Sequence, residues 1–294
     1  MNFFRTVIYV GIIFLSSHSS SYAEVKVLLE ENFDTPGKLT SGLGIGYQAG
    51  GLVETSFLDE DQINVTTSEG VLKAVYPVSK GGGIYGWASF DMTPYNTYEV
   101  YVEFHARMPK EKQGIKFLKI FGGANTTFGL DYTGISSGKG SLYQVSFGDG
   151  TTTQNDTQNV INLNGNNPSW IGRSYGKAVV NTPEKKGFTA ADWGDKWHHF
   201  RFKVKFNSAI KNSDNTYTEI NDGEYYVEID GKVYVDATGL LNRHPTNGPI
   251  TKVALLDWAQ NVDKSFEIYY DNLKITTGGF DGTGPSGPKD FKRQ

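Results

Sequence analysis

The chain has 294 residues, with 28 lysines and arginines against 32 aspartates and glutamates, and its formal net charge is −4 at pH 7. This balance argues against nucleic acid as a general partner, although a groove on an acidic protein can be locally basic. The sequence contains no cysteine, which excludes disulfide bonds and cysteine-bound zinc. Its 35 glycines, 17 tyrosines and 18 phenylalanines, without a long helical period, predict an all-β domain.

The first 23 residues have the pattern of a signal peptide. Arg5 supplies a positive charge, residues 7–15 are apolar, and residues 21–23 (Ser-Tyr-Ala) are similar to a small-x-small cleavage site. The apolar run is too short to span a bilayer as a helix. We therefore predict cleavage after Ala23, a secreted or periplasmic location and no membrane span.

The rest of the chain reads as one domain of short strands. Residues 98–108 and 197–206 alternate between apolar and polar side chains with a period of two, and Asp230-Gly231 between two further strand runs is a strong hairpin signal. Residues 24–278 are therefore predicted to form a monomeric sandwich of two antiparallel sheets. The weakly patterned residues 148–186 are interpreted as an ordered lid. The Gly/Pro/Lys-rich residues 279–294 are predicted to be a disordered tail.

Titratable side chains occur inside the strands of one stretch, from Glu103 to Phe147. A sheet that only packed a core would have little use for them, so this stretch is interpreted as the floor of a carbohydrate-binding groove. These side chains are those of His105, Arg107, Lys116, Lys119, Asp131, Tyr132 and Tyr143.

Motifs of several enzyme classes are absent from the sequence. No two histidines of the mature chain have the His-x-x-x-His spacing, and there is no Gly-x-Ser-x-Gly, P-loop or dinucleotide fingerprint. Two-carboxylate hydrolysis has weak support, because Glu224 to Asp230 reads Glu-x-x-x-Glu-x-Asp and runs into a hairpin turn. The residues of the stretch instead match β-elimination of a uronic-acid polymer. That reaction needs a group that neutralises the sugar carboxylate, a base and an acid.

Residues 114–122 (GIKFLKIFG), followed by a short strand and then a tyrosine-bearing strand, resemble the polysaccharide lyases of the family-14 type. Those proteins are jelly-roll enzymes of the concanavalin A-like superfamily that cleave alginate or glucuronan-like polymers. The resemblance implies a concanavalin A-like β-jelly-roll fold and places Lys116 on the family's lysine and Tyr143 on one of its two tyrosines. The family's serine and arginine are replaced here by Gly129 and Asp131, and its second tyrosine by a valine.

The predicted site has catalytic and substrate-binding members, and its chemistry needs no metal or other cofactor. The catalytic candidates are Lys116, Tyr143 and His105. The substrate-binding candidates are Arg107, Lys119, Tyr132, Trp170, Arg173, Tyr175 and His199. Each of these residues also has a structural interpretation, as a solvated or packed side chain. Strict alternation along the strand predicts that Lys116 and Lys119 point to opposite faces, with Lys119 beside Phe117.

Acidic residues near both ends of the chain predict a structural calcium site. Residues 30–34 and 270–273 resemble the terminal strands of jelly-roll carbohydrate domains, in which oxygens from both ends often hold calcium. Oxygen ligands suit that ion. The predicted ligands are Glu31, Asp34 and Asp271, and a strand pair without calcium is the equal alternative.

The leading hypothesis is an exported polysaccharide lyase that cleaves an acidic, uronic-acid-containing polysaccharide by β-elimination. A non-catalytic, lectin-like carbohydrate-binding module of the same fold is the alternative. A glycoside hydrolase is a third interpretation.

Overall fold

The computed structural model describes residues 24–34, 37–39, 52–54, 64–68, 70–78, 83–85, 88–108, 115–123, 140–147, 159–162, 169–171, 188, 192, 194–243, 245, 248–260 and 262–282. The predicted signal peptide lies outside these residues, as do Tyr132, Arg173 and Tyr175. No helix in the described part of the chain is both long and apolar enough to cross a membrane.

Nineteen strands and one short 3-10 helix (Thr93–Tyr95) make up the described secondary structure. The strands are β1 (Lys26–Glu31), β2 (Gly37–Leu39), β3 (Leu52–Glu54), β4 (Asn64–Ser68), β5 (Val71–Tyr76), β6 (Gly83–Tyr85), β7 (Ala88–Asp91), β8 (Glu99–Arg107), β9 (Ile115–Gly123), β10 (Gly140–Phe147), β11 (Asn159–Asn162), β12 (Ser169–Ile171), β13 (Trp197–Lys205), β14 (Ala209–Lys211), β15 (Tyr217–Glu219), β16 (Gly223–Ile229), β17 (Lys232–Leu240), β18 (Ile250–Gln260) and β19 (Phe266–Thr277).

These strands form two large sheets and a separate hairpin of β14 and β15. The larger sheet has nine strands in the order β17-β16-β13-β8-β19-β5-β4-β2, with β1 also paired to β19. The smaller sheet has eight strands in the order β12-β11-β10-β9-β18-β7-β3, with β6 also paired to β18. Its β10 and β11 are parallel, and the other described pairs are antiparallel. The predicted all-β jelly-roll sandwich of two antiparallel sheets is confirmed.

The core lies between the two sheets and is built from one side of each alternating strand. On β8 and β13 the buried side chains include Phe104 and Phe200, whose rings stack at a centroid distance of 5.6 Å. Phe117 on β9 of the smaller sheet packs against Phe104 at 5.6 Å and against Tyr270 of β19 at 5.4 Å. Each such buried aromatic side chain contributes about 2–3 kcal/mol of transfer free energy. The face of each sheet turned away from this core is called its outer face below.

A bulge in β9 changes which side chains share a face. The pairing of β9 with both β10 and β18 shifts in register between Lys116 and Leu118. Phe117 and Leu118 are consequently both buried in the core, although strict alternation would separate them. Lys119 lies between the core residues Leu118 and Ile120 and projects from the outer face. The prediction that Lys119 shares a face with Phe117 is therefore wrong.

The hairpin at Asp230-Gly231 forms as predicted, between β16 and β17, with Asp230 in the left-handed region at φ 51°. The Asp230 carboxylate also binds the neighbouring β13. Its Oδ2 lies 2.6 Å from His198 Nδ1, and its Oδ1 accepts a hydrogen bond from the His199 backbone N–H at 2.9 Å. His198 is buried against Phe188 and is a structural residue.

The segment after β19 packs on the outer face of the larger sheet. The ring of Phe280 lies 3.9 Å from the guanidinium carbon of Arg201 and meets Tyr101 edge-on at 4.8 Å. Asp281 forms an ion pair with Lys274 at 3.1 Å. Phe280 and Asp281, which belong to the predicted disordered tail of residues 279–294, are thus packed on the domain, and residues 283–294 lie outside the described residues.

Asn207 lies two residues after the end of β13, and removal of its side chain is expected to destabilise the fold. Its fully buried Oδ1 accepts hydrogen bonds from the backbone N–H groups of Asn242 at 2.9 Å and Arg243 at 2.7 Å. Asn207→Ala would leave both donors buried without this acceptor, so the free energy of unfolding should fall by about 2 kcal/mol. Urea unfolding of this variant beside the exposed Asn221→Ala measures the effect. Equal stability of the two variants would contradict the prediction.

Candidate functional site

Four neighbouring strands of the smaller sheet, β10, β9, β18 and β7, place residues side by side in two rows. Paired residues of antiparallel strands lie on the same face of a sheet, so the two rows belong to one patch of the outer face. The first row is Gln144, Lys119, Ala254 and Ser89, and the second is Leu142, Phe121, Lys252 and Asp91. These eight positions are called the lysine patch below.

Two lysines of the patch are buried, which is unusual for this side chain. Lys119 is 3% exposed and Lys252 is 8% exposed. Val253, next to Lys252, belongs to the core, so Lys252 also projects from the outer face. Both lysines have contacts within the protein. Against them the patch has a single carboxylate, Asp91, which leaves a net charge of one positive unit in an acidic protein.

Lys116 and Tyr143, two of the predicted catalytic residues, lie on strands of this same sheet. Lys116 pairs with Ser146 on β10 and with Trp258 on β18. Tyr143 pairs with the core residue Ile120, whereas its neighbour Gln144 pairs with Lys119. The backbone therefore brings these two residues to adjacent strands, and their side chains lie outside what the structure describes.

Trp170 lies on β12 at the edge of the smaller sheet and pairs with Ile161 of β11. Both strands come from the segment that was interpreted as a lid. This part of the segment extends the sheet beside β10.

The other predicted residues with described positions, His105, Arg107 and His199, lie on the outer face of the larger sheet. The chain crosses from one sheet to the other after Arg107, so β8 and β9 follow each other in sequence but lie on opposite sides of the core. His105 therefore does not meet Lys119 in one sugar-sized space. The interpretation of residues 103–147 as a single groove floor is wrong for this reason.

The polar groups around His105 form a lattice in which charges are paired. The His105 and His199 rings stack at 4.9 Å, and His199 Nε2 lies 2.7 Å from Oε1 of the buried Glu103. Arg201 is paired with Glu228 at 3.2 Å. At the edge of the cluster, Arg107 Nε donates to Asp195 Oδ1 at 3.0 Å. The ion pairs around His105 suit a structural role, although the buried Nδ1 of His105 itself has no hydrogen-bond partner in the described part of the chain.

The histidine stack predicts that stability falls in mild acid. Burial and the neighbouring His199 lower the pKa of His105 from 6.5 to about 4, against the opposing effect of Glu103. Between these two values the unfolded chain binds more protons than the folded one, so stability present above pH 6.5 is lost as the pH falls towards 4. Because His105 is partly exposed and screened, the loss is expected to be about 1–2 kcal/mol.

Chemical unfolding of the wild type and of His105→Gln at several pH values between 4 and 7 measures this dependence. His199 on β13, Asp271 on β19 and Glu103 on β8 all neighbour His105 and are unchanged in the variant. The variant should therefore show the shallower pH dependence. Parallel curves for the two proteins would assign the acid sensitivity to other groups.

The residues predicted to bind calcium are all described. Glu31 Oε1 accepts a hydrogen bond from the Phe33 backbone N–H at 2.7 Å, and Asp271 is buried beside His105 on the larger sheet. Among the described residues no three or more His, Cys, Asp or Glu side chains are grouped so that they could hold a metal ion. The structure thus does not bring Glu31, Asp34 and Asp271 together as such a group.

The chain is similar to known proteins in structure but not in sequence. No family model matches the chain, and no curated protein matches it. Solved structures with a similar overall fold include the alginate lyase Aly36B in complex with an alginate trisaccharide, at 15% identity and a TM-score of 0.45, covering 82% of this chain and 98% of that one.

Two further solved structures have the same order of similarity. The endo-β-1,4-glucuronan lyase from the fungus Trichoderma reesei has 10% identity and a TM-score of 0.44 over 86% of this chain and 96% of that one. Lectin I-B4 from Griffonia simplicifolia has 10% identity and a TM-score of 0.40 over 82% and 98%. The two lyases belong to the class of protein that the sequence resemblance named.

Proposed function

We propose that this protein is an exported polysaccharide lyase that cleaves an acidic, uronic-acid-containing polysaccharide by β-elimination. The observation that carries the proposal is Lys119, a buried lysine on the outer face of the smaller sheet. Its strand also carries Lys116, and the adjacent strand carries Tyr143. A buried cation outside the core between the two sheets is suited to an anionic ligand.

In the proposed reaction Lys119 binds the carboxylate of the sugar at the cleavage point. Removal of the proton at C5 spreads negative charge onto that carboxylate, and a fixed ammonium group stabilises this charge as it develops. The interaction is stronger away from bulk water, where the effective dielectric constant is lower. Lys116 is the proposed base, which removes the C5 proton, and its ammonium form can then protonate the departing oxygen. Tyr143, the acid candidate from the sequence, pairs with the core residue Ile120 and not with Lys119, so its part in the reaction rests on the Tyr143→Phe variant.

Hydrolysis is the weaker proposal because the carboxylates of its candidate motif are engaged elsewhere. Glu224 is paired with Lys203, Glu228 with Arg201 at 3.2 Å, and Asp230 with His198 at 2.6 Å. All three belong to the larger sheet or its hairpin, on the other side of the core from the lysine patch.

The lyase proposal is tested by incubating the mature protein with alginate, glucuronan and glycosaminoglycans and following the absorbance of unsaturated uronates. Lys116→Ala and Tyr143→Phe should each lower the rate if these residues transfer protons. An absorbance that stays flat with every polymer, combined with measurable glycan binding, would favour the lectin-like alternative. Reducing sugar released without an unsaturated product would favour a hydrolase.

Export and calcium binding remain proposals with their own measurements. Amino-terminal sequencing of protein recovered outside the cytoplasm tests cleavage after Ala23. Melting with and without a calcium chelator tests calcium binding, because a ligand bound only to the folded state raises the melting temperature.

A further inference from the structure

We propose that Lys252 is a second carboxylate-binding residue of the lysine patch, so that the patch holds acidic groups of two sugars at once. This inference rests on the proposed function, because it places the substrate on the same face as Lys119. Lys252 lies on β18, far from Lys119 in sequence, and only the pairing of β18 with β9 brings the two together.

The register fixes the relation between the two lysines. Lys119 pairs with Ala254, and Lys252 pairs with Phe121, so the lysines occupy diagonal corners of a two-by-two block. Diagonal neighbours in an antiparallel pair are about 7–8 Å apart, and long flexible side chains extend the range over which the two amines can act. Between them Ala254 contributes only a methyl group, and Phe121 offers a partly buried ring of the kind that packs on sugars.

Asp91 supplies one competing explanation for Lys252, which also has contacts within the protein. It pairs with Lys252 across β7 and β18, and a lysine placed there could serve only to neutralise it. One oxygen of Asp91 is already engaged, because Oδ1 accepts a hydrogen bond from the Thr93 backbone N–H at 2.9 Å. The two explanations predict opposite effects of removing the Asp91 charge. If Lys252 only neutralises Asp91, Asp91→Asn removes that partner and should weaken ligand binding as Lys252→Gln does. If Lys252 binds the ligand, Asp91→Asn makes the patch more positive and should not weaken ligand binding.

Two amines on one face also imply a preference among acidic polysaccharides. A polymer in which every sugar carries a carboxylate can offer one to each lysine. A polymer in which uronates alternate with neutral sugars offers carboxylates at a wider spacing, so one of the lysines is left without a ligand group. Lys252 is therefore expected to set the preference for contiguous uronates, while Lys119 acts on both kinds of polymer.

The experiment compares binding of two tetrasaccharides, one of contiguous glucuronates and one with glucuronate alternating with a neutral sugar, by calorimetry on the full mature chain carrying Lys116→Ala, which suppresses the proposed turnover. Lys252→Gln should weaken binding of the contiguous ligand about tenfold and change binding of the alternating ligand by less than about twofold. Lys211→Gln, on the exposed β14, is the matched control and should change neither. Asp91→Asn should leave binding of the contiguous ligand unchanged or tighter.

Unchanged binding in Lys252→Gln, equal weakening for both ligands, or the same loss in Asp91→Asn would each overturn the inference. If Lys252→Gln does not fold, Lys252→Met keeps the aliphatic stem without the charge, and its binding of the two ligands is judged by the same criteria. The outcome is separable from the proposed reaction, because these affinities are measured without turnover. A protein that prefers contiguous uronates but forms no unsaturated product would refute the lyase and retain the paired lysines.

Discussion

Replacement of Lys119 by alanine is expected to lower kcat/KM on a susceptible polyuronate by about a hundredfold, the effect of removing one preorganised charge-stabilising group from an active site. In the proposed reaction Lys119 neutralises the carboxylate beside the proton that leaves. The loss should appear in kcat as well as in KM, because the carboxylate gains charge in the transition state and needs the ammonium most at that point. Initial rates of unsaturated-uronate formation over a range of substrate concentrations measure both constants.

Burial of Lys119 requires a control for folding. Lys119→Met retains most of the side-chain volume without the charge and should lose the same activity with less disturbance of packing. Lys274→Met removes an equally buried lysine from the larger sheet, where Lys274 is paired with Glu30 and Asp281. It should reduce the melting temperature and keep kcat/KM near that of the wild type below the transition. Full activity in Lys119→Met would remove Lys119 from the mechanism.

The periodicity of individual strands could be predicted from the sequence because it is a local property. Alternation in residues 98–108 and 197–206 correctly assigns Phe104 and Phe200 to the core, and Asp230-Gly231 correctly marks a hairpin. A period of two follows from backbone geometry alone, and a buried face requires apolar residues along it. These features depend only on the residues of one strand and its turn.

The site depends on partners distant in sequence, and there the local pattern was insufficient. His105 and Lys119 lie in consecutive strands, but the chain changes sheet between them. The bulge at Phe117 depends on how β9 pairs with two other strands, and one extra residue reverses every later assignment of faces. The sequence signal that could have identified Lys252 is its position as a charged residue within the apolar run of β18. This signal points to the lysine patch only when β18 is known to pair with β9.

Gly122→Ala is expected to destabilise the protein by about 3 kcal/mol, at the upper end of overpacking effects. A Cβ at this position would lie 2.3 Å from Cε2 of Phe206, well inside van der Waals contact. Gly122 is on β9 of the smaller sheet, and Phe206 follows β13 of the larger one, so the glycine marks a close approach of the two sheets. Phe206 is 1% exposed, and its backbone N–H donates to the Tyr98 carbonyl at 2.9 Å, so burial and a fixed backbone both restrict movement of the ring.

A second substitution distinguishes this collision from the general effect of replacing glycine by alanine. Gly282→Ala, where a Cβ meets nothing within 4 Å, should leave the free energy of unfolding nearly unchanged. Phe206→Leu should destabilise the wild-type background but relieve the collision, so the double variant with Gly122→Ala should be more stable than the sum of the single effects by about 1–2 kcal/mol. Strict additivity would mean that Gly122 does not set the spacing of the sheets. Favourable coupling would give a packing reason for Gly122, the glycine that ends the run from Gly114. The absence of a side chain at Gly122 would then let β9 approach Phe206 on its core side, while the same strand carries Lys119 on its outer face.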